Sequence, residues 1–327
     1  MNARSAKAPL PRLAAAVALV TAATVSALGT AGVAEGAIDL RYESALRLSS
    51  RPDGRLLPVA VTCNDEAAEL VVTDSAWSAL HVFNAEGVET FRTEDFARLS
   101  SPVDGAVDTA GRLVALSMAD GNRFTIVRLD TYGEPDAWLP ASPRDGWRPD
   151  HLLVSRDGHY VTVDGATGLL AKHDAGTGAV LWTTVIAEPD PEDPNLETAI
   201  GRPVELADGT FAVPGGNLHN VILVGADGAV ITSFGRFGSS PGRMVTPVAV
   251  AAGPQGTLLV LDQMRHKILV FDDKQQFVTE FGSIGDAPGA FYYPVAMAAD
   301  SAGHVYVAQG YRGRVQVFNV RADGAVE

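Results

Sequence analysis

Arg265 and Arg312 stand 47 residues apart, and each has a ring beside it: His266 follows the first and Tyr311 precedes the second. Trp147 likewise precedes Arg148, and both Arg148 and Arg202 come directly before a proline. Arg243, Trp77, Tyr292 and Tyr293 lie in comparable polar connections between apolar runs. Guanidinium groups and aromatic rings combine large contact area with directed hydrogen bonds, so the chemistry they offer together is recognition of another molecule's surface.

The residues that would make or break bonds are sparser. No G-x-S-x-G occurs, and no serine, histidine and acid stand at suggestive positions. Asp150 and His151 adjoin each other after Pro149, but one His and one Asp fall short of the three or four convergent ligands of a zinc site. The other histidines, at 81, 159, 173, 219, 266 and 304, are scattered. The stretch AEPDPEDPNLE, residues 187–197, carries five carboxylates but lacks the glycine and alternating spacing of a calcium loop, and reads as a solvated acidic insertion. HDAGTGAVLW, residues 173–182, has the glycines of a tight hairpin. Cys63, the single cysteine, excludes an internal disulfide and, within PVAVTC, reads as a small buried hydrophobe. No catalytic residue, metal ligand or cofactor is assigned from these patterns.

What must position the arginines and rings is a repeat. Residues 234–271 and 281–318 pair at a constant offset of 47: Phe234 with Phe281, Gly238 with Gly285, Pro241 with Pro288, Pro247 with Pro294, Arg265 with Arg312 and Phe271 with Phe318. Within residues 247–271 the chain reads PVAVAA, a Gly-Pro-Gln-Gly turn, TLLVL, a polar connection and KILVF, with QQFVTEF following. Short runs rich in Val, Leu and Ile between turn residues are strands, and four antiparallel strands in about 45 residues make one propeller blade. Pro58, Pro102, Pro149, Pro203, Pro247 and Pro294 each precede such a run, at intervals of 44, 47, 54, 44 and 47, which predicts six blades. A glycine follows nine residues later at Gly111, Gly158, Gly256 and Gly303, and six later at Gly209, where a hairpin three residues shorter is expected. Only RADGAVE remains after the third strand of blade six, so residues 38–50 are expected to supply its fourth strand and close the ring. The fold class is all-β: a six-bladed propeller of four-stranded antiparallel blades.

The run F-G-x-x-G-x-x-P-G-x-x-x-x-P, then strand, glycine, strand and a basic residue, resembles the NHL repeat of six-bladed propellers. The resemblance is strong over residues 234–318 and weaker over residues 55–233. It implies a structural role for the acidic residue after the second strand, Asp74, Asp164 and Asp262 here with Gln309 in its place in blade six, and for the basic residue that follows, as in Asp262 with Lys267. Domains similar to this repeat include protein-binding and RNA-binding platforms, lyases and exported bacterial proteins, so the fold does not choose the function.

In a propeller the loops entering each innermost strand and those joining its second and third strands share one rim. That rim is expected to collect Arg148, Arg202, Arg243, Arg265, Arg312, Trp77, Trp147, Tyr292, Tyr293, Tyr311 and His266 as a binding face for a protein, peptide or glycan, with the arginines free to repel one another until an anionic ligand binds. The alternative expectation is a propeller-type lyase or lactone hydrolase with a cation in the channel and Asp150 and His151 at its edge. Residues 1–12 carry three positive charges, and 13–34 are small and apolar, the form of a cleaved export signal. Its removal takes the net charge from −14 to −17 and leaves residues 35–327 as the propeller, expected as a periplasmic or extracellular monomer without stable membrane insertion. So acidic a chain is not expected to bind nucleic acid.

Overall fold

The computed structural model describes residues 38–48, 54–65, 68–93, 99, 101–119, 123–139, 142–187 and 198–322. The expected export signal, 1–34, and residues 188–197 of the acidic insertion lie outside the described residues.

Six four-stranded antiparallel sheets follow one another along the chain as the blades of a propeller. From the innermost strand outward, blade one is Pro58–Asn64, Glu69–Asp74, Ala79–Asn84 and Glu89–Arg92; blade two is Pro102–Val107, Leu113–Ala119, Arg123–Leu129 and Pro135–Leu139. Blade three is His151–Val154, Tyr160–Asp164, Leu169–His173 and Val180–Val185; blade four is Val204–Glu205, Phe211–Pro214, Val221–Val224 and Val230–Phe234. Blade five is Pro247–Ala252, Leu258–Asp262, Lys267–Phe271 and Phe277–Phe281. Blade six is Ala296–Ala299, His304–Gln309 and Arg314–Ala322, completed on its outer edge by Ile38–Leu46.

The unbroken apolar runs belong to the second and third strands, because each blade is covered on both faces by its neighbours. Leu258–Asp262 is buried along its whole length, whereas the outer strand Phe277–Phe281 is partly or fully exposed. Between blades five and six, Leu259, Leu261, Ile268 and Val270 pack against Met297, Val305, Val307 and Phe318. Each such side chain contributes roughly 1.5–3 kcal/mol of burial. Ile38–Leu46 runs antiparallel to Arg314–Ala322, with Ile38 opposite Ala322 and Leu46 opposite Val315, so the ring closes as expected, by a strand ending at Leu46.

Pro58 lies opposite Asp74 and Pro247 opposite Asp262, at the first position of their strands, where a missing N–H breaks no ladder bond. Gly111, Gly158, Gly209, Gly256 and Gly303 take φ between 76° and 91°, the left-handed geometry their hairpins need. Blade four differs from expectation. Glu205 faces Phe211 as Ala252 faces Leu258, and an isolated parallel bridge sets Arg202 level with Ala249. Ile200, buried, therefore stands at the anchor level, and Pro203 lies three residues inside the blade; the proline is displaced and the hairpin is not shortened.

The acidic positions tie loops rather than pairing with the basic residue. Asp262 accepts backbone N–H bonds from Val245 (2.6 Å), Thr246 (3.1 Å) and Arg265 (3.0 Å), joining the entering loop to the turn between second and third strands. Asp74 accepts from Leu57 and Ala76, Asp164 from Arg148 and Thr167, and Gln309 Oε1 from Tyr292. Lys267, opposite Asp262 in the strand pairing, bonds Glu280 at 2.7 Å, so acid and base each hold the scaffold through a partner of their own.

Candidate binding face and axial site

The turn between second and third strands needs a left-handed residue: Ser78, Gly168, His219, His266 and Gly313 occupy it with φ from 50° to 68°. Histidine there is strained, and strained positions held by their surroundings mark places to look for function. Around His266 five of the expected residues converge. Its ring stacks with Tyr292 (6.3 Å between centroids) and meets Tyr293 edge-on at 5.0 Å, while Tyr293 meets Tyr311 at 6.1 Å. The Arg312 guanidinium lies 4.3 Å from the Tyr292 ring centre. The backbone N–H of Tyr293, itself left-handed, donates to His266 Nδ1 at 3.2 Å, which leaves the imidazole proton on Nε2. Burial pulls the His266 pKa down, against the nearby Asp262 carboxylate. Tyr311 is 63% exposed at the edge of this cluster.

The other expected residues fall elsewhere. Arg265 is buried along its side chain, bonding Glu280 at 2.8 Å and the carbonyls of Arg243 (2.6 Å) and Ser239 (3.1 Å). Burial pushes Glu280 up, but hydrogen bonds from Lys267 and Arg265 outweigh it and hold its pKa down. Arg312 pairs with Asp286 at 2.5 Å. The mutually repelling arginines expected from the sequence are thus corrected: Arg265, Arg312 and Arg202 each carry a built-in carboxylate. Arg148 and Arg243 are exposed on the rim. Trp77 lies over Gly54 and donates its indole N–H to the Arg55 carbonyl. Trp147, 5% exposed, is packed between blades two and three instead of lying on the surface. Phe237 and Ile284, each 65% exposed, extend the face from equivalent entering loops, with His219 at 4.5 Å from Phe237; their 47-residue spacing was the signal that would have found them.

Arg202 also leaves the rim. It belongs to the ring of equivalent innermost positions, two past each anchor: Ala60, Asp104, His151, Arg202, Ala249 and Ala296. Three alanines on one side leave room for the Arg202 side chain, which is buried and crosses to the opposite wall. There it donates to Asp104, to Thr62 Oγ1 at 2.8 Å and to the Leu152 carbonyl at 2.7 Å, while its backbone N–H reaches Val248. Asp104, fully buried, also accepts the Leu152 N–H at 2.8 Å. His151 stands beside this pair, its pKa lowered to about 4 by burial, with Asp104 opposing and Arg202 reinforcing the shift. It is therefore neutral at pH 7. Among the described residues no group of three or more His, Cys, Asp or Glu is arranged to hold a metal ion.

Below Arg202, on the face opposite the rim, the six innermost strands diverge around a cavity of about 440 Å³. Cys63 lines it, half-buried, and the HDAGTGAVLW hairpin stays outside it, closed by Asp174 accepting from Thr177 and Gly176.

Taken together, the blades and the repeated turn geometry define a six-bladed β-propeller, one stretch of which matches the NHL repeat. The NHL repeat profile matches residues 291–318, the entering loop and first three strands of blade six. No curated protein matches the chain in sequence. Among solved structures it is similar to a protein of unknown function from Bacteroides thetaiotaomicron (12% identity, 88% of this chain and 77% of that one, TM-score 0.64). It is also similar to a streptogramin B lyase (13% identity, 87% and 98%, TM-score 0.59) and to a catalytically inactive virginiamycin B lyase from Staphylococcus aureus with quinupristin (12% identity, 86% and 99%, TM-score 0.58). At such identities these likenesses establish the shared fold.

Proposed function

We propose that the protein is an exported, non-catalytic binding propeller that takes a protein, peptide or glycan partner on the rim of blades five and six. The observation that carries this reading is the convergence of His266, Tyr292, Tyr293, Tyr311 and Arg312 into one ring-and-guanidinium platform, bordered by the exposed Ile284. Rings held by one another lose little freedom on binding and offer stacking faces to sugar or apolar side-chain surfaces. The Arg312–Asp286 pair adds donors and acceptors without net charge, which favours a neutral contact surface over a strongly anionic one. The Arg202 side chain, held by three protein acceptors and lying across the axis, supports a scaffold over an axial reaction centre. The reading is tested by screening the purified protein and its Tyr311→Ala variant on a glycan array and a displayed peptide library. Ligands retained by the parent and lost by the variant support the platform; parent and variant retaining the same set, or a parent that retains none, overturn it.

A further inference from the structure

The cavity below Arg202 is a second place where a ligand fits, on the face away from the proposed rim. Its volume of about 440 Å³ lies within the range of small-molecule pockets. Its wall is two-sided. Blades five and six contribute Val250, Ala251, Ala252 and Met297, with no polar side chain, while the polar groups come from blades one to four. On that polar side Glu205 is half-buried; one carboxylate oxygen accepts the Arg156 N–H at 2.6 Å, and the other has no partner among the described residues. Asp65 stands at the mouth, where one oxygen accepts the Ser301 N–H. Arg202 at the floor is already matched by Asp104, and of the cations that act on Glu205, Lys172 is paired with Asp157, which leaves Arg156 facing the carboxylates of Glu205 and Asp65. Around Cys63, within the cavity, burial and the carboxylates of Asp300 and Asp65 raise the thiol pKa against the opposing pull of Arg202.

We propose that this cavity binds a small organic cation, an amine with a compact apolar body, its ammonium set against Glu205 and its body against the neighbouring Val250 to Met297 wall, with Asp65 adding negative charge at the mouth. The ammonium would pair with the Glu205 oxygen that accepts no hydrogen bond among the described residues, and the apolar wall would exclude water from the other flank. This site is independent of the rim reading.

The chain's single cysteine serves as a reporter inside the cavity. Methanethiosulfonates react by thiolate attack on sulfur, forming a mixed disulfide and releasing methanesulfinate, so the rate at Cys63 reads the local potential towards each reagent's charge. Relative to a free thiol in solution, the 2-aminoethyl reagent should react at least about fivefold faster than the 2-sulfonatoethyl reagent, a conservative bound beside the roughly thirtyfold that one unit charge about 4 Å away gives between reagents of opposite sign at the dielectric of water. Glu205→Gln should lower that ratio, and benzylamine should slow labelling where benzoate does not. Ala252→Trp, a change at an exposed mouth position, should abolish the benzylamine protection. Equal or faster reaction with the sulfonate, protection by benzoate equal to that by benzylamine, or a Cys63 that reacts with neither reagent would each overturn the proposal.

Discussion

Arg202 and Asp104, 98 residues apart in sequence, form a buried ion pair on the axis of the ring, each on an innermost strand or its approach. Removing one partner leaves the other charge uncompensated in the interior. Arg202→Met is therefore expected to lower unfolding free energy by about 3–5 kcal/mol, while the double change Arg202→Met with Asp104→Ala recovers much of that loss. Chemical denaturation of the two variants and the parent measures both; a single variant as stable as the parent refutes the pinning role.

The rim platform makes a different prediction. Tyr311 is exposed, so Tyr311→Ala should leave stability within about 0.5 kcal/mol of the parent. Affinity for a ligand from the array or library should fall by about 1–3 kcal/mol. Because Arg312 is already paired with Asp286, that affinity should also change little between low and physiological salt. Titration of the ligand at two ionic strengths decides the matter, and a steep salt dependence would point to the exposed Arg148 and Arg243 instead.

Ring closure by Ile38–Leu46 predicts that an internal deletion of residues 38–46 exposes the edge of Arg314–Ala322 and removes Ile38 and Leu46 from the core. The expected result is aggregation or a melting temperature far below the parent's. Light scattering and thermal melting check it, and parent-like melting of a monomer would contradict the closure.

Two histidines give the stability a pH dependence of known sign. Burial lowers His151 and His173 to about 4, from an ordinary value of 6.5. The unfolded chain then binds more protons than the folded one between these values, so stability present above pH 6.5 is lost as pH falls towards 4. His173, fully buried and hydrogen-bonded to Thr162 at 2.8 Å, should contribute about 2–3 kcal/mol of that loss. Denaturation at pH 7 and pH 5 should show a shallower decline for His173→Gln than for the parent; an unchanged slope would remove His173 from the account.

Much of the architecture was legible because each blade repeats the same demands: an anchor at the first strand position and a glycine able to take positive φ. Blade four misled for a physical reason. A proline is also tolerated further along an innermost edge strand, where its missing N–H faces the channel, so Pro203 marked the wrong level and hid Arg202 from the axial ring. His151 was already read as a residue at the channel edge, and Asp104 was within reach, one residue beyond the Pro-Val pair read in its blade. The grouping of His266, Tyr292, Tyr293, Tyr311 and Arg312 followed from loop order alone. The carboxylate partners of Arg265 and Arg312 did not, because Glu280 comes from an outer strand and Asp286 from an entering loop, and no local spacing encodes those meetings.

The side-chain acceptors of Arg202 all lie in blades one to three, upstream of it in the chain. However the chain is delivered, N-terminus first, every one of those acceptors has emerged by the time blade four appears, with blades five and six still to come. Two-thirds of the circle can be held at its final curvature by one guanidinium before the last strand exists to shut it. The repeated units are interchangeable in outline, yet this one side chain ties its own blade to the three that precede it.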